Sequence, residues 1–413
     1  MIKSARLGHW TSIALDKVLH AEDGPASAYG GYTNMAQTPM SDHAENMISQ
    51  CFNAAVRNSR TASLAVLVAL ALTALVSCAP NTTQNSQDSN QWNTATDRFE
   101  NSPVTPISTS ENSSASSAWD FFFLKNERIP GEKLPEMQPT DTELAAPGDA
   151  LGFIWFGHST IMLDLGGTRV LFDPIFSSNA SPVPFTVTRF QPPAVALEAI
   201  GDIDLILISH NHYDHLDRPT IKQLKSRPVK FLVPLGVGAH LESWGIDSSR
   251  ITELDWWQSI TIDGTKFTAT PAQHFSGRGL FDRNKTLWSS WSVDHNGKRV
   301  FFSGDSGYGP HYKAIGDRLG PFDLTFLENG AYNKSWGLIH QFPEQAVQAH
   351  RDLKGNTMVP IHWGMFNLAM HSWYDPIRRV HKAAQNEGVH LVTPKLGQYV
   401  YPSAVPPMDR WWP

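Results

Sequence analysis

The 413-residue chain has only two cysteines, Cys51 and Cys78, and both precede the segment that reads as folded. No disulfide therefore staples that segment internally, and no metal site within it can use a thiolate. Charged residues are scarce at 17%, with a net charge of -6 and a pI near 6.3. No basic stripe of the kind that phosphate backbones attract is present, which argues against a nucleic-acid partner. No apolar run reaches the roughly 20 residues that a spanning helix needs. The most hydrophobic stretch, Leu64 to Val76, is too short.

That stretch carries a different signal. Arg57 and Arg60 precede it and Ser77-Cys78-Ala79-Pro80 ends it. A basic lead, a short apolar core and small residues make a secretory signal. Leu75-Val76-Ser77-Cys78 resembles a bacterial lipobox, which implies lipidation at Cys78 and anchoring to a membrane. Ala79 in place of Asp implies an outer-membrane lipoprotein facing the periplasm. Met47 makes a better start for such a signal than Met1. The expected organisation is an over-extended start at 1–46, a signal peptide at 47–78, and an Asn/Ser/Thr/Gln-rich disordered linker at 79–118. The linker reading rests on its shortage of large apolar residues, too few to offset the entropy of ordering. One large hydrolase domain then fills 119–413.

Within that domain, buried-strand patterns recur. They include Gly152–Gly157, Thr160–Leu165, Arg169–Phe172, Asp204–Ser209, Val229–Val233, Lys266–Ala272, Leu287–Val293, Arg299–Ser303, Leu324–Leu327 and Met358–Ile361. Gly166-Gly167 reads as a hairpin turn. Helices are expected at Arg218–Lys225, Val237–Trp244, Tyr312–Leu319 and Pro343–Leu353, with Pro219 and Pro343 in their first turns. The alternation predicts an α/β (α+β) protein of two mixed β-sheets with helices outside them.

What is abundant is histidine, 17 in all. His210-Asn211-His212-Tyr213-Asp214-His215 follows directly on the apolar run ending at Ser209. Four imidazole or carboxylate ligands beside a buried strand would be costly without a metal. His274, Asp305 and His362 each stand just past another apolar strand. Each is weak alone, but seven ligand-type residues in this order point to a metal centre.

That order resembles the metallo-β-lactamase superfamily, a four-layer αββα sandwich. The stretches Trp155-Phe156-Gly157-His158-Ser159-Thr160, Phe172-Asp173-Pro174, Asp255-Trp256-Trp257, Trp288-Ser289-Ser290-Trp291-Ser292 and Ile361-His362-Trp363-Gly364 resemble its N-acyl-phosphatidylethanolamine phospholipase D branch and bacterial outer-membrane relatives. The resemblance implies two Zn2+ ions per chain. His210, His212 and His274 would hold one, and Asp214, His215 and His362 the other, with Asp305 bridging. A metal-bridging hydroxide would then attack a phospholipid phosphodiester. Asp173 is expected to orient a ligating histidine, or else to hold the turn before Pro174. His158 is expected to touch substrate or to be a packed polar residue. His340 is expected to contact a phosphate or assist the leaving group. Among the tryptophans, Trp256, Trp257, Trp288 and Trp291 read as core, with an acyl-chain groove as the alternative. Glu328, where the branch usually has proline, is expected to add a charge at the mouth. Hydrolysis of lactones, thioesters or β-lactams on the same metals, and a non-catalytic zinc-binding lipoprotein, remain open at this point, as does the oligomeric state.

Overall fold

The computed structural model describes residues 84–106, 127–183 and 185–413. Residues 1–46, the apolar run 64–76 and Cys78 lie outside the described residues. Among the described residues, no helix is long and apolar enough to cross a membrane.

Two seven-stranded mixed sheets form the frame. The first contains β3 (Gly152–Trp155), β4 (Ile161–Leu165), β5 (Thr168–Phe172), β6 (Leu205–Leu207), β7 (Lys230–Pro234), β8 (Ile251–Leu254) and, from the far end of the chain, β16 (Tyr399–Val400). The second runs from β9 (Ser259–Ile262) through β10 (Thr265–Thr270), β11 (Ser290–His295), β12 (Lys298–Phe302), β13 (Phe322–Glu328) and β14 (Gly355–Ile361) to β15 (His390–Leu391). Each sheet is an antiparallel meander that continues as parallel strands. Gly166 and Gly167 have φ of +60° and +76°, which closes the expected two-residue hairpin between β4 and β5.

Alternation sorts the side chains into layers. Leu205 and Leu207 of β6 pack into the cluster between the sheets, which also holds Phe172, Trp291, Phe302 and Phe326. Ile206, between them, packs into a second cluster with Ile221, Leu224 and Leu241. Those three residues belong to the helices α3 (Arg218–Leu224) and α4 (Gly238–Ser243). A strand buried on both faces must read as a continuous apolar run, and β6 does. The second sheet is flanked by α5 (His311–Leu319), α6 (Pro343–Asp352) and α7 (Asp375–Glu387), with α7 absent from the sequence expectation. The result is the expected two-sheet sandwich with helices outside.

Two expectations need correction. The expected strand Leu287–Val293 begins only at Ser290. Its first residues turn away to bond the first sheet's connections, Leu287 N to Leu235 O and Ser289 N to Ser209 O. The polar segment 79–118 is not a free linker where it is described. It holds α1 (Gln84–Gln87) and a hairpin of β1 (Trp92–Asn93) and β2 (Arg98–Phe99). Trp92 and Phe99 are buried against Leu235, Trp256, Leu287 and Trp288. Two aromatic side chains supply the apolar area that the average composition lacks.

Candidate metal centre

Topology gathers the ligands. β3, β5, β6, β10, β12, β13 and β14 end in or just before His158, Asp173, His210, His274, Asp305, Glu328 and His362 respectively. Within each sheet these strands all run the same way, so their C-terminal ends share one edge. The edge is backbone-strained. His158, Asp173 and His362 are non-glycine residues with φ of +54°, +37° and +65°. His362 N donates to His158 O and His158 N to Trp363 O, so the two sheets are stitched together at the site.

The seven expected ligands converge. His210 Nε2 is 2.8 Å and His274 Nε2 3.2 Å from His212 Nδ1. On the other side, Asp214 Oδ2 is 3.4 Å from both His215 Nε2 and His362 Nε2. Asp305 Oδ2 lies between the groups, 3.0 Å from His362 Nε2, 3.2 Å from His215 Nε2, 3.7 Å from His274 Nε2 and 3.9 Å from His210 Nε2. Donors arranged tetrahedrally about 2.0–2.1 Å from an ion stand about 3.3 Å apart. The observed separations, from 2.8 to 3.9 Å, lie on both sides of that value.

Unmatched polar atoms make the same point. Among the described residues, His215 Nε2, both ring nitrogens of His362 and Asp305 Oδ1 are buried without a hydrogen-bond partner. The close approaches to Asp305 Oδ2 are thus contacts without hydrogen-bond alignment. Each such orphan costs roughly 1–3 kcal/mol, and a cation among them would satisfy His215 Nε2, His362 Nε2 and Asp305, while His362 Nδ1 faces Glu328 Oε2 at 3.9 Å on the other side of its ring. The residues fit a divalent-metal centre.

Electrostatics agree. Burial, reinforced by neighbouring imidazoles, drives His210 and His212 well below the usual histidine range. Burial likewise takes His274 down to about 3. All three therefore present lone pairs. Burial also opposes charge on His362, but Asp305 and Asp214 overcome it and raise the group to about 10. His215 is raised for the same reason by Asp305, Asp214 and Asp173. Where no ion is present, the surrounding carboxylates favour the protonated form of both rings.

The surrounding residues have defined jobs. Asp173 is buried, accepts from Ser209 N at 2.7 Å, and stands 2.7 Å from His215 Nδ1. It fixes that ligand's ring, as one of its two expected roles required. His158 is a packed polar residue, the second of its two expected readings. It is 1% exposed and its Nε2 lies 3.0 Å from Asp214 Oδ2, so it orients Asp214 from behind. Glu328 is fully buried rather than at the mouth. It accepts from Ser306 N and Gln341 N and stands 2.8 Å from His340 Nδ1. Burial and Asp305 raise its carboxyl well above the usual range. His340 itself stands beside the ligands, its ring 5.0 Å from His274 and 5.3 Å from His362. With Asp214 and His212 it forms the partly open side of the centre. Trp256, Trp288 and Trp291 are buried, each indole N–H bonded to a backbone carbonyl, so these three line no groove.

Paired histidine–aspartate donor groups at the edge of two stacked mixed sheets are the hallmark of a metal-binding protein. The model of the β-lactamase superfamily domain matches residues 168–363. An uncharacterized protein of Mycobacterium tuberculosis is 47% identical over 280 residues, covering 65% of this chain and 75% of that one. N-acyl-phosphatidylethanolamine-hydrolyzing phospholipase D 1 of Caenorhabditis elegans is 34% identical over 262 residues, covering 59% and 74%. Outer membrane protein RomA of Klebsiella pneumoniae is 51% identical over 94 residues, covering 23% and 70%. The chain belongs to the metallo-β-lactamase superfamily, and its homologues there include phospholipases D that hydrolyse N-acyl-phosphatidylethanolamine.

Proposed function

We propose that the protein is a two-zinc phosphodiesterase of the phospholipase D type, acting on N-acyl-phosphatidylethanolamine or a related phospholipid. The observation that carries this reading is Asp305 Oδ2, set within 3.9 Å of imidazoles from both donor groups. His210, His212 and His274 would hold one ion and Asp214, His215 and His362 the other, with Asp305 shared. An all-nitrogen-and-oxygen donor set without thiolate suits zinc. When bound, such a pair supplies Lewis acidity, lowering the pKa of water and neutralising charge on phosphoryl oxygens.

The protein's own groups do the rest. Asp173 and His158 fix His215 and Asp214, so the ligands are oriented before substrate arrives. When water oxygen bonds to phosphorus and the P–O bond to the departing alcohol breaks, the alcohol oxygen takes up the proton that the water gives up. Burial lowers His340 to about 4, so it acts as a neutral hydrogen-bond donor to that oxygen rather than as the source of its proton. Glu328, whose carboxyl pKa is raised, occupies Nδ1, which leaves Nε2–H for the alcohol oxygen. A lipid substrate is supported by the surroundings. The crevice beside His362 lined by Phe190, Trp363 and Phe366 holds only about 20 Å³, so the support comes from the exposed loop instead. On the loop after His274, Leu280 and Phe281 are 50% and 69% exposed.

Anchoring at Cys78 in the outer membrane, facing the periplasm, is part of the same proposal. It is supported by the lipobox-like sequence and by the name of the RomA relative. Incorporation of labelled palmitate, abolished by Cys78→Ser, tests the anchor. For the activity, the purified protein is offered N-acyl-phosphatidylethanolamine vesicles, a lactone and nitrocefin. Release of phosphatidic acid is the expected result, with two zinc ions per chain. Turnover of the lactone or nitrocefin alone would overturn the phospholipase reading.

A further inference from the structure

The segment ahead of the sandwich reaches the metal centre itself. Asn101 stands two residues past the end of β2 and is buried. Its Nδ2 donates to His274 O at 2.9 Å, and His274 N donates back to its Oδ1 at 3.1 Å. Trp288 Nε1 shares its N–H between the same Oδ1 and Ala272 O, both at 3.0 Å, which also holds the amide in place. One side-chain amide thus clamps the backbone of a metal-ligand residue from both sides. Around the ring, Nδ1 of His274 is held at 3.0 Å by Ile339 O, which leaves Nε2 for the ion.

The hairpin that delivers Asn101 is itself pinned to the loop after His274. Phe99 N donates to Asn284 O, and Asn284 Nδ2 to Phe99 O. Asn284 N in turn donates to Ser276 O, two residues beyond the ligand. Lys285 Nζ pairs with Asp97 at 2.5 Å. Trp92 and Phe99 stack edge to face with centroids 4.9 Å apart and enter the cluster of Trp256, Leu287 and Trp288. The strap is therefore anchored by its own aromatic pair and independently of Asn101.

We infer that Asn101 is a positioning residue for His274, and that the strap 84–106 is a working part of the metal centre. The inference rests on the two-metal reading above and deepens it. A backbone clamp limits how far His274 Nε2 can wander from His210 and His212. Its loss should loosen the site those three build and leave the site of Asp214, His215 and His362 intact. Groups that orient a ligand typically matter by 10–100-fold in metal affinity.

The test uses the full chain with Asn101→Ala, Asn101→Asp and Leu287→Ala. Leu287→Ala thins the same aromatic cluster without touching His274. Zinc affinities are measured by competition with a chromophoric chelator, and amide exchange at His274 is followed in metal-free protein. Wild type binding two ions upholds the two-metal reading independently of the outcome for Asn101. The expected result for Asn101→Ala is about tenfold weaker binding of one ion, unchanged binding of the other, and faster exchange at His274. Asn101→Asp keeps the acceptor but places a carboxylate against His274 O, so it should also weaken one ion while retaining amide protection. Leu287→Ala should lower Tm with both affinities unchanged. Equal affinities in Asn101→Ala and wild type, or losses in Leu287→Ala that match those in Asn101→Ala, would overturn the inference.

Discussion

Asp305 Oδ2 lies within 3.9 Å of four imidazole nitrogens drawn from both donor groups, while its Oδ1 is buried without a partner. A carboxylate so placed would serve both ions of the proposed pair. Asp305→Ala is therefore expected to leave fewer than one tightly held zinc after dialysis, measured by atomic emission. Retention of one full equivalent would show that Asp305 serves a single site. His340 tests a different role. His340→Gln should keep two zinc ions and a KM within a few-fold, while kcat on the phospholipid falls about 10²- to 10⁴-fold. An unchanged kcat would remove it from the leaving-group step. At this scale the sequence was most informative where ligands follow apolar strands, as at His210, His274, Asp305 and His362. It was silent on Asn101 and misleading on Glu328. The partners of both come from chain distant in sequence, His274 for Asn101 and Ser306 and His340 for Glu328, and no local pattern announces such a pairing.

The strands show what made elements legible. β6 and β7 are buried on both faces and announce themselves as apolar runs. β8 and β9 are only partly buried, and β15 and β16 have two residues each, too short for a period to register. α7 escaped because polar residues dominate it, although Ile377, Val380 and Ala384 mark its buried face and Gly388, at φ +66°, its left-handed end. The short α2 (Asp141–Ala145) is tied to β5 by one buried cation. Arg169 is fully buried, pairs with Asp164 through two bonds of 2.7 and 2.8 Å, and donates to the carbonyls of Glu143, Leu144 and Ala146. Tyr399 of β16 donates to the same Asp164. Arg169→Met strands a buried carboxylate and three carbonyls, so denaturant unfolding should show a loss of about 3–5 kcal/mol. The double variant Arg169→Met/Asp164→Leu should recover part of that loss. A double variant no more stable than the single would place the cost in the carbonyls of α2 instead.

Across the whole molecule, the metal centre sets how stability responds to pH. In metal-free protein His362 is raised to about 10 and His215 is raised as well, both by the carboxylates around them. A raised folded-state pKa stabilises fully below the unfolded value of about 6.5, and that contribution is lost as pH climbs through about 10. Metal-free protein should therefore lose stability between pH 7 and 10. His158, His240 and His311 act at the other end. Burial lowers each to about 3, so their contribution is present above about 6.5 and is lost as pH falls toward 3. Zinc reverses the alkaline trend, because it needs the lone pairs that the protons on His215 and His362 occupy. Binding at pH 7.5 should release about two protons, and apparent affinity should rise with pH until those groups titrate. Because ligand binding stabilises by mass action, the gap in Tm between zinc-loaded and chelator-treated protein should widen from pH 6.5 to 9. Calorimetric titration in buffers of different ionisation enthalpy counts the protons directly. A gap that narrows over this range, or binding with no proton release, would mean that the two imidazoles are already neutral and that the carboxylates find their counter-charge elsewhere.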